Sequence, residues 1–254
     1  MIKAFLKKII PQNIRLKIRR VQHTIYYKLF GLDNKYKHFS TEQVFEKIYQ
    51  DGLWGKDEKG LSTSGFGSHA YNLVNPYINA IKKVAGDYSL KSAVDLGCGD
   101  FSVGSKLLDT FEYFTACDIS STILNRNKKL YNLENLKFRK INLAQDELPV
   151  GDIAFVRQVL QHLSNHDIAL FVDKLNLTKP YKYIVVTESL PFSSTFVPNI
   201  DKPSGPGIRV MLDSGVILHT SPFELNYKEM HEICTVEEHP GGKKAVIKSI
   251  LYVL

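Results

Sequence analysis

The chain has 254 residues, 44% of them hydrophobic, with 33 Lys or Arg against 26 Asp or Glu and a net charge of +7. That apolar share builds a packed core and excludes a disordered or fibrous chain, and the length suits one α/β domain with an extension better than two full domains. Cys98, Cys117 and Cys234 show no metal-type pair spacing, so no metal site is expected and a reducing, cytoplasmic setting is.

Charge is unevenly spread. Residues 1–40 hold ten Lys or Arg and one acidic residue, Asp33, a net of +9, which leaves −2 for the remainder. The basic character belongs to this leader and gives no reason to expect a nucleic acid as partner. Ile2, Phe5, Leu6, Ile9 and Ile10, then Ile14, Ile18, Val21 and Ile25, recur at helical spacing on either side of Pro11 and predict an amphipathic helical extension over 1–40. Its charges are too many for a signal-peptide core. The apolar stripe suits packing on the domain or peripheral contact with an anionic membrane face.

The main domain is expected over 41–254. Residues 53–71, LWGKDEKGLSTSGFGSHAY, read as a Gly- and Ser-rich surface loop leading to a helix capped at Ser68, or as a lid over a ligand. In AVDLGCGDFSVG, residues 93–104, a β-type run ends at Asp95 and gives way to Gly97 and Gly99. Glycines there let the chain turn sharply and bring backbone N–H groups to a ligand at the N-terminus of the following helix. A dinucleotide fingerprint requires a further glycine at 102, where Ser stands, and Asp95 and Asp100 would repel a pyrophosphate. An acidic glycine loop suits a cofactor with an ammonium group and no phosphate, such as S-adenosylmethionine.

A second apolar run, YFTACDIS at 113–120, ends at Asp118, about twenty residues beyond the glycines as strand–helix–strand spacing demands. Asp118 is a candidate for the ribose hydroxyls, with Asp118 or Ser120 as helix caps in the plain alternative. LKFRKINL at 136–143 alternates like a strand; Asn142 fits an adenine contact or an ordinary turn. DIAFVRQVLQHLSNHDI at 152–168 runs a strand into Arg157, Gln158, Gln161 and His162, at the end of an open sheet where ligands bind. His162 is the candidate general base, since an imidazole takes a hydroxyl proton at neutral pH, and Arg157 could hold an anionic acceptor. A fifth strand over 181–189 points Glu188 toward the same crevice as a further catalytic candidate, and residues 190–228, with Arg209 and His219, read as an insertion lining the acceptor pocket. HEICTVEEH, a turn at 240–242 and KKAVIKSILYVL close the sheet as an antiparallel hairpin.

With Asp95, Gly97 and Gly99 in place, the chain resembles the class I S-adenosylmethionine-dependent methyltransferases, whose first motif runs [D/E]-x-G-x-G-x-G; Phe101 stands at the third glycine. The resemblance implies a doubly wound, mostly parallel seven-stranded Rossmann-like sheet with a C-terminal antiparallel hairpin. It also implies S-adenosylmethionine as cofactor, bordered by Cys98, Ile119, Leu143, Arg157 and Gln158 beside the residues above. The W-G and S-G-x-G-S elements, Trp54 and Ser64 to Ser68 with His69, resemble small bacterial methyltransferases of surface-polysaccharide (capsule) gene clusters. That likeness implies O-methylation of a sugar or of an anionic sugar substituent such as a phosphoramidate, with Trp54, Ser68, His69, Gln161, His162, Arg209 and His219 around the acceptor. A non-catalytic binding module and an NAD-dependent oxidoreductase remain as other classes.

Overall fold

The computed structural model describes residues 31–193 and 195–254, together with Ile14, Ile18, Val21, Ile25 and Leu29 of the leader. Those five are helical and exposed; the other residues of 1–30, and with them the expected membrane contact, lie outside the described residues. Among the described residues no helix is long and apolar enough to cross a membrane.

Seven strands form one sheet: β1 (Ser92–Leu96), β2 (Tyr113–Asp118), β3 (Leu136–Lys140), β4 (Ile153–Arg157), β5 (Tyr183–Pro191), β6 (Glu229–Glu238) and β7 (Ala245–Val253), in the order β3-β2-β1-β4-β5-β7-β6. The first five run parallel, and β7 lies antiparallel between β5 and β6. The expected hairpin therefore closes the sheet. Continuous apolar runs such as IAFV in β4 suit strands covered on both faces. One face is packed by α1 (Thr41–Asp51) and α5 (Asn165–Thr178) over Val94, Val156 and Val186; the other by α3 (Tyr71–Asp87) over Ala93 and Phe155. Between these come α2 (Phe66–His69), which begins before Ser68, so that Ser68 is not its cap, and α4 (Ser121–Leu130).

One expectation gives way. The glycine loop is followed by only a four-residue 3-10 turn, Gly104–Leu107. Ser102 N there donates to the Asp100 side chain, and Gly104 has no room for a Cβ between Phe101 and Asp95, so α3 covers this face instead of a helix after β1. The last residues of the leader pack on the main domain. Asp33, in the turn Leu32–Tyr36, pairs with Lys202 at 3.2 Å where both side chains have no exposure, and Asp33 accepts from Gly207 N at 2.8 Å. Lys202 donates onward to the His162 carbonyl at 3.2 Å. The end of the leader is thereby tied to the insertion and to the turn that bears His162.

Candidate active site

A cavity of about 670 Å³ opens outside the C-terminal ends of β1 and β4, where the strand order reverses. Register places Asp95 between Ala116 and Phe155 of the flanking strands. Beyond it Gly97 takes φ +86, and a Cβ there would strike the Val159 side chain. Phe101 takes φ +61, the left-handed conformation a third motif glycine would supply, and turns its ring into the core against Phe114, Tyr131 and Phe138. The replacement of glycine therefore leaves the loop's course open to a ligand.

Asp118 accepts from Gly99 N at 3.0 Å and from Ser120 N at 2.9 Å, while Ser120 Oγ accepts from Ile123 N and caps α4. The capping role falls to Ser120, and Asp118 lines the cavity with lone pairs to spare. Cys98, Ile119 and Leu143 share its wall. So does Asn142, whose Oδ1 also accepts from Ala144 N at 2.9 Å, the turn arrangement. Burial, with the Asp118 charge beside it, pushes the Asp95 carboxyl up to about 7, and burial pushes Asp118 up to about 6. Two buried carboxylates so poorly compensated fit a ligand bearing sulfonium and ammonium charges and disfavour a pyrophosphate.

The 53–71 segment is clamped to the glycine loop. Asp100 accepts from Ser64 N at 2.8 Å and meets His69 Nε2 at 2.7 Å, while Asp100 N donates to Ser64 Oγ at 2.8 Å. Burial alone would raise the Asp100 carboxyl, yet the hydrogen bonds from Ser64, Ser102 and His69 hold it below its ordinary value. His69 is thus engaged in anchoring the segment and does not line the cavity, against its expected acceptor role. Trp54 and Ser68 do line it.

At the acceptor end the candidates divide. Arg157, Gln158, Gln161 and His162 reach the cavity; Glu188, Arg209 and His219 do not. Glu188 accepts from Leu160 N at 2.9 Å and Gln161 N at 3.0 Å, so it fixes the turn Leu160–His162 instead of meeting substrate. Arg209 is fully buried and donates to the carbonyls of Ile200 and Leu163, which removes it as an anion binder. His219 Nδ1 meets Tyr252 Oη at 2.9 Å in an aromatic cluster away from the site. His162 packs against Trp54 at 4.9 Å between ring centroids, and burial, reinforced by the Lys202 charge, depresses it to about 4. A proton arriving there would be buried near a cation, so the ring serves as a neutral wall and is a poor general base at neutral pH.

Arg157 is not free for an acceptor anion. It donates to Gly67 O at 2.9 Å and to Gln158 Oε1 at 3.1 Å, lies over the Tyr77 ring at 5.2 Å, and feels the charges of Asp95 and Glu238. A Cβ at Gly67 would press on the Gln158 amide and displace it from this arrangement. Sequence reasoning missed Tyr77, Ser189 and Glu238 in the wall. Nothing local marks them, since α3, β5 and β6 each read as ordinary amphipathic elements.

The topology, the acidic glycine loop and the carboxylate at the end of β2 define a class I S-adenosylmethionine-dependent methyltransferase, with S-adenosylmethionine as its cofactor. Residues 94–176 match the family described as methyltransferase domain. The fold is shared with the N-methyltransferase NodS from Bradyrhizobium japonicum WM9, solved with S-adenosylhomocysteine (11% identity, 81% of this chain and 98% of that one, TM-score 0.52). It is shared with human N-acetylserotonin methyltransferase in complex with S-adenosylmethionine (15% identity, 94% and 67%, TM-score 0.52). Magnesium protoporphyrin IX methyltransferase from Synechocystis PCC 6803 is similar too (14% identity, 84% and 98%, TM-score 0.50). No curated protein matches the chain.

Proposed function

We propose that this methyltransferase acts on a hydroxyl of a small, uncharged, polyhydroxylated acceptor of the sugar class, in the making of a bacterial surface polysaccharide. The observation that carries the acceptor class is the state of Arg157, whose guanidinium is already engaged by Gly67 and Gln158 and lies among Tyr77, Asp95 and Glu238. With Arg209 buried elsewhere, the anionic acceptor anticipated from these two arginines loses its partners. Among the described residues, the buried polar atoms without a partner at this end are the acceptors Gln161 Oε1 and Glu238 Oε1, His162 Nδ1, and one donor, Arg157 Nε, a set that a hydroxyl-bearing ligand, which both donates and accepts, can complete. The likeness to capsule-cluster methyltransferases through Trp54 and the Ser64–His69 segment supports a sugar.

When bound, S-adenosylmethionine supplies an electrophilic methyl group on a sulfonium. The chain's part is to hold donor and acceptor in line and exclude water: Asp118 and the glycine loop at one end, Trp54, His162 and Gln161 at the other. An amine acceptor is the second reading, favoured by Glu237 and Glu238 at the rim. S-adenosylhomocysteine release is measured with methyl glycosides, glucosamine and glucose 6-phosphate. Turnover of the first group alone supports the proposal, and turnover of only the phosphate overturns it.

A further inference from the structure

Donors at the acceptor end form a directed chain. Arg157 Nη1 donates to Gln158 Oε1 at 3.1 Å, which orients the amide so that Gln158 Nε2 donates to Ser189 Oγ at 3.2 Å. Ser189 Oγ, having accepted, has its own proton left to give on the side of the Glu238 carboxylate, whose acidity it influences. The series runs from Arg157 toward Glu238, which lines the cavity and whose Oε1 is buried without a partner among the described residues. Its neighbour Glu237 differs, being exposed and paired with Lys244 at 3.5 Å. The last residue of β6 thus carries a cavity-lining carboxylate with Oε1 buried and unpartnered.

We infer that Glu238 is the residue that receives the acceptor's hydroxyl proton, oriented for this by the Arg157–Gln158–Ser189 series. The inference rests on the O-methylation reading above. In the step, the acceptor O–H bond breaks and its proton passes to Glu238 Oε1. The oxygen lone pair forms the new O–CH3 bond while the electron pair of the S–CH3 bond stays on sulfur, leaving a neutral thioether. The resulting carboxylic acid returns its proton to solvent at the exposed rim beside His239. Burial raises the Glu238 carboxyl above its ordinary value, against the Ser189 hydrogen bond and the charges of Arg157 and His239, which brings it closer to the neutral range where a general base works best.

The test compares wild type with Glu238→Gln and Glu238→Asp on methyl glucoside, methyl galactoside and glucosamine, with S-adenosylmethionine affinity measured by calorimetry. Expected for Glu238→Gln is a fall in kcat of about 100-fold or more with cofactor affinity unchanged and partial recovery in Glu238→Asp. An unchanged kcat on any accepted hydroxyl overturns the inference. Should only glucosamine be methylated, and on nitrogen by mass spectrometry of the product, the hydroxyl reading falls, and a Glu238→Gln effect confined to KM would mean amine binding, not proton uptake. A second measurement needs no acceptor: carbon NMR of the glutamate carboxyls in the S-adenosylhomocysteine complex. A Glu238 midpoint above that of ordinary glutamates, rising further in Ser189→Ala, supports the arrangement; a midpoint at or below theirs overturns it whatever the acceptor proves to be.

Discussion

The two ends of the cavity solve the charge problem in opposite ways. At the cofactor end burial outweighs the Arg157 charge near Asp95 and the backbone donors to Asp118, and both carboxyls are displaced upward, to about 7 and about 6. At the acceptor end Arg157 lies among the charges of Asp95 and Glu238, and its Nη1 and Nη2 donate within the chain while Nε is buried without a partner among the described residues, as are Gln161 Oε1 and Glu238 Oε1. One end is completed by a cation, the other by a neutral donor of hydrogen bonds. On the proposed function, selectivity for a charged cofactor and an uncharged acceptor would follow from which groups the fold leaves unbalanced.

The comparison breaks most visibly where the acceptor end depends on a residue far away in sequence. Asp33→Ala leaves Lys202 fully buried without its counter-charge, and loss of one partner of such a pair costs about 3–5 kcal/mol. A large drop in thermal midpoint is expected, with most of it recovered in the Asp33→Ala, Lys202→Met double variant. Additive losses in the double variant would mean that the two residues act separately. At the other end, Asp118→Ala removes the acceptor of Gly99 N and Ser120 N and a charge facing the cavity. S-adenosylmethionine affinity, read by calorimetry, should fall by about 2–3 kcal/mol, since a hydrogen bond to a charged group is worth about that much. Undiminished affinity would remove Asp118 from the cofactor site.

The same contrast explains what was legible in the sequence. The cofactor end is contiguous: Asp95, Gly97 and Gly99 sit in one loop, and Asp118 follows one strand later, so spacing alone brings them together. Even Phe101, which departs from the motif, is accommodated by its left-handed backbone and core-facing ring. The acceptor end draws Gly67, Arg157, Ser189 and Glu238 from segments separated by tens of residues, and only the sheet order, with β7 inserted between β5 and β6, brings the end of β6 into the crevice. Charge type misled there as well. Arg209 and Glu188 look like site residues in a string of letters, yet both are absorbed by backbone groups of the turn they support.

Acidity sharpens the comparison through its sign. The folded carboxyls of Asp95 and Asp118 titrate above ordinary aspartates. They therefore favour folding while protonated, and that contribution is lost as pH rises through about 6 to 7 in the ligand-free protein. A cationic cofactor prefers the ionised forms. Its affinity should climb as pH rises through the same window and level off above it, by at most about tenfold per pH unit for each carboxyl that must ionise. S-adenosylhomocysteine lacks the sulfonium and should show a shallower slope. Equal slopes would place the carboxylates too far from the sulfur to matter.

The smallest effect is expected at the residue that looked most catalytic. His162 is buried against Trp54, depressed to about 4, and placed near Lys202, so at pH 7 its ring is neutral and gains little by accepting a second proton. His162→Phe keeps an aromatic wall against Trp54 and leaves the backbone carbonyl that accepts from Lys202 and Gly205 N. Turnover should change by less than about tenfold, below the range of a true acid–base group. A wild-type rate that falls with a midpoint near 4 and loses that limb in His162→Phe would instead return the imidazole to the proton path and take the role from Glu238.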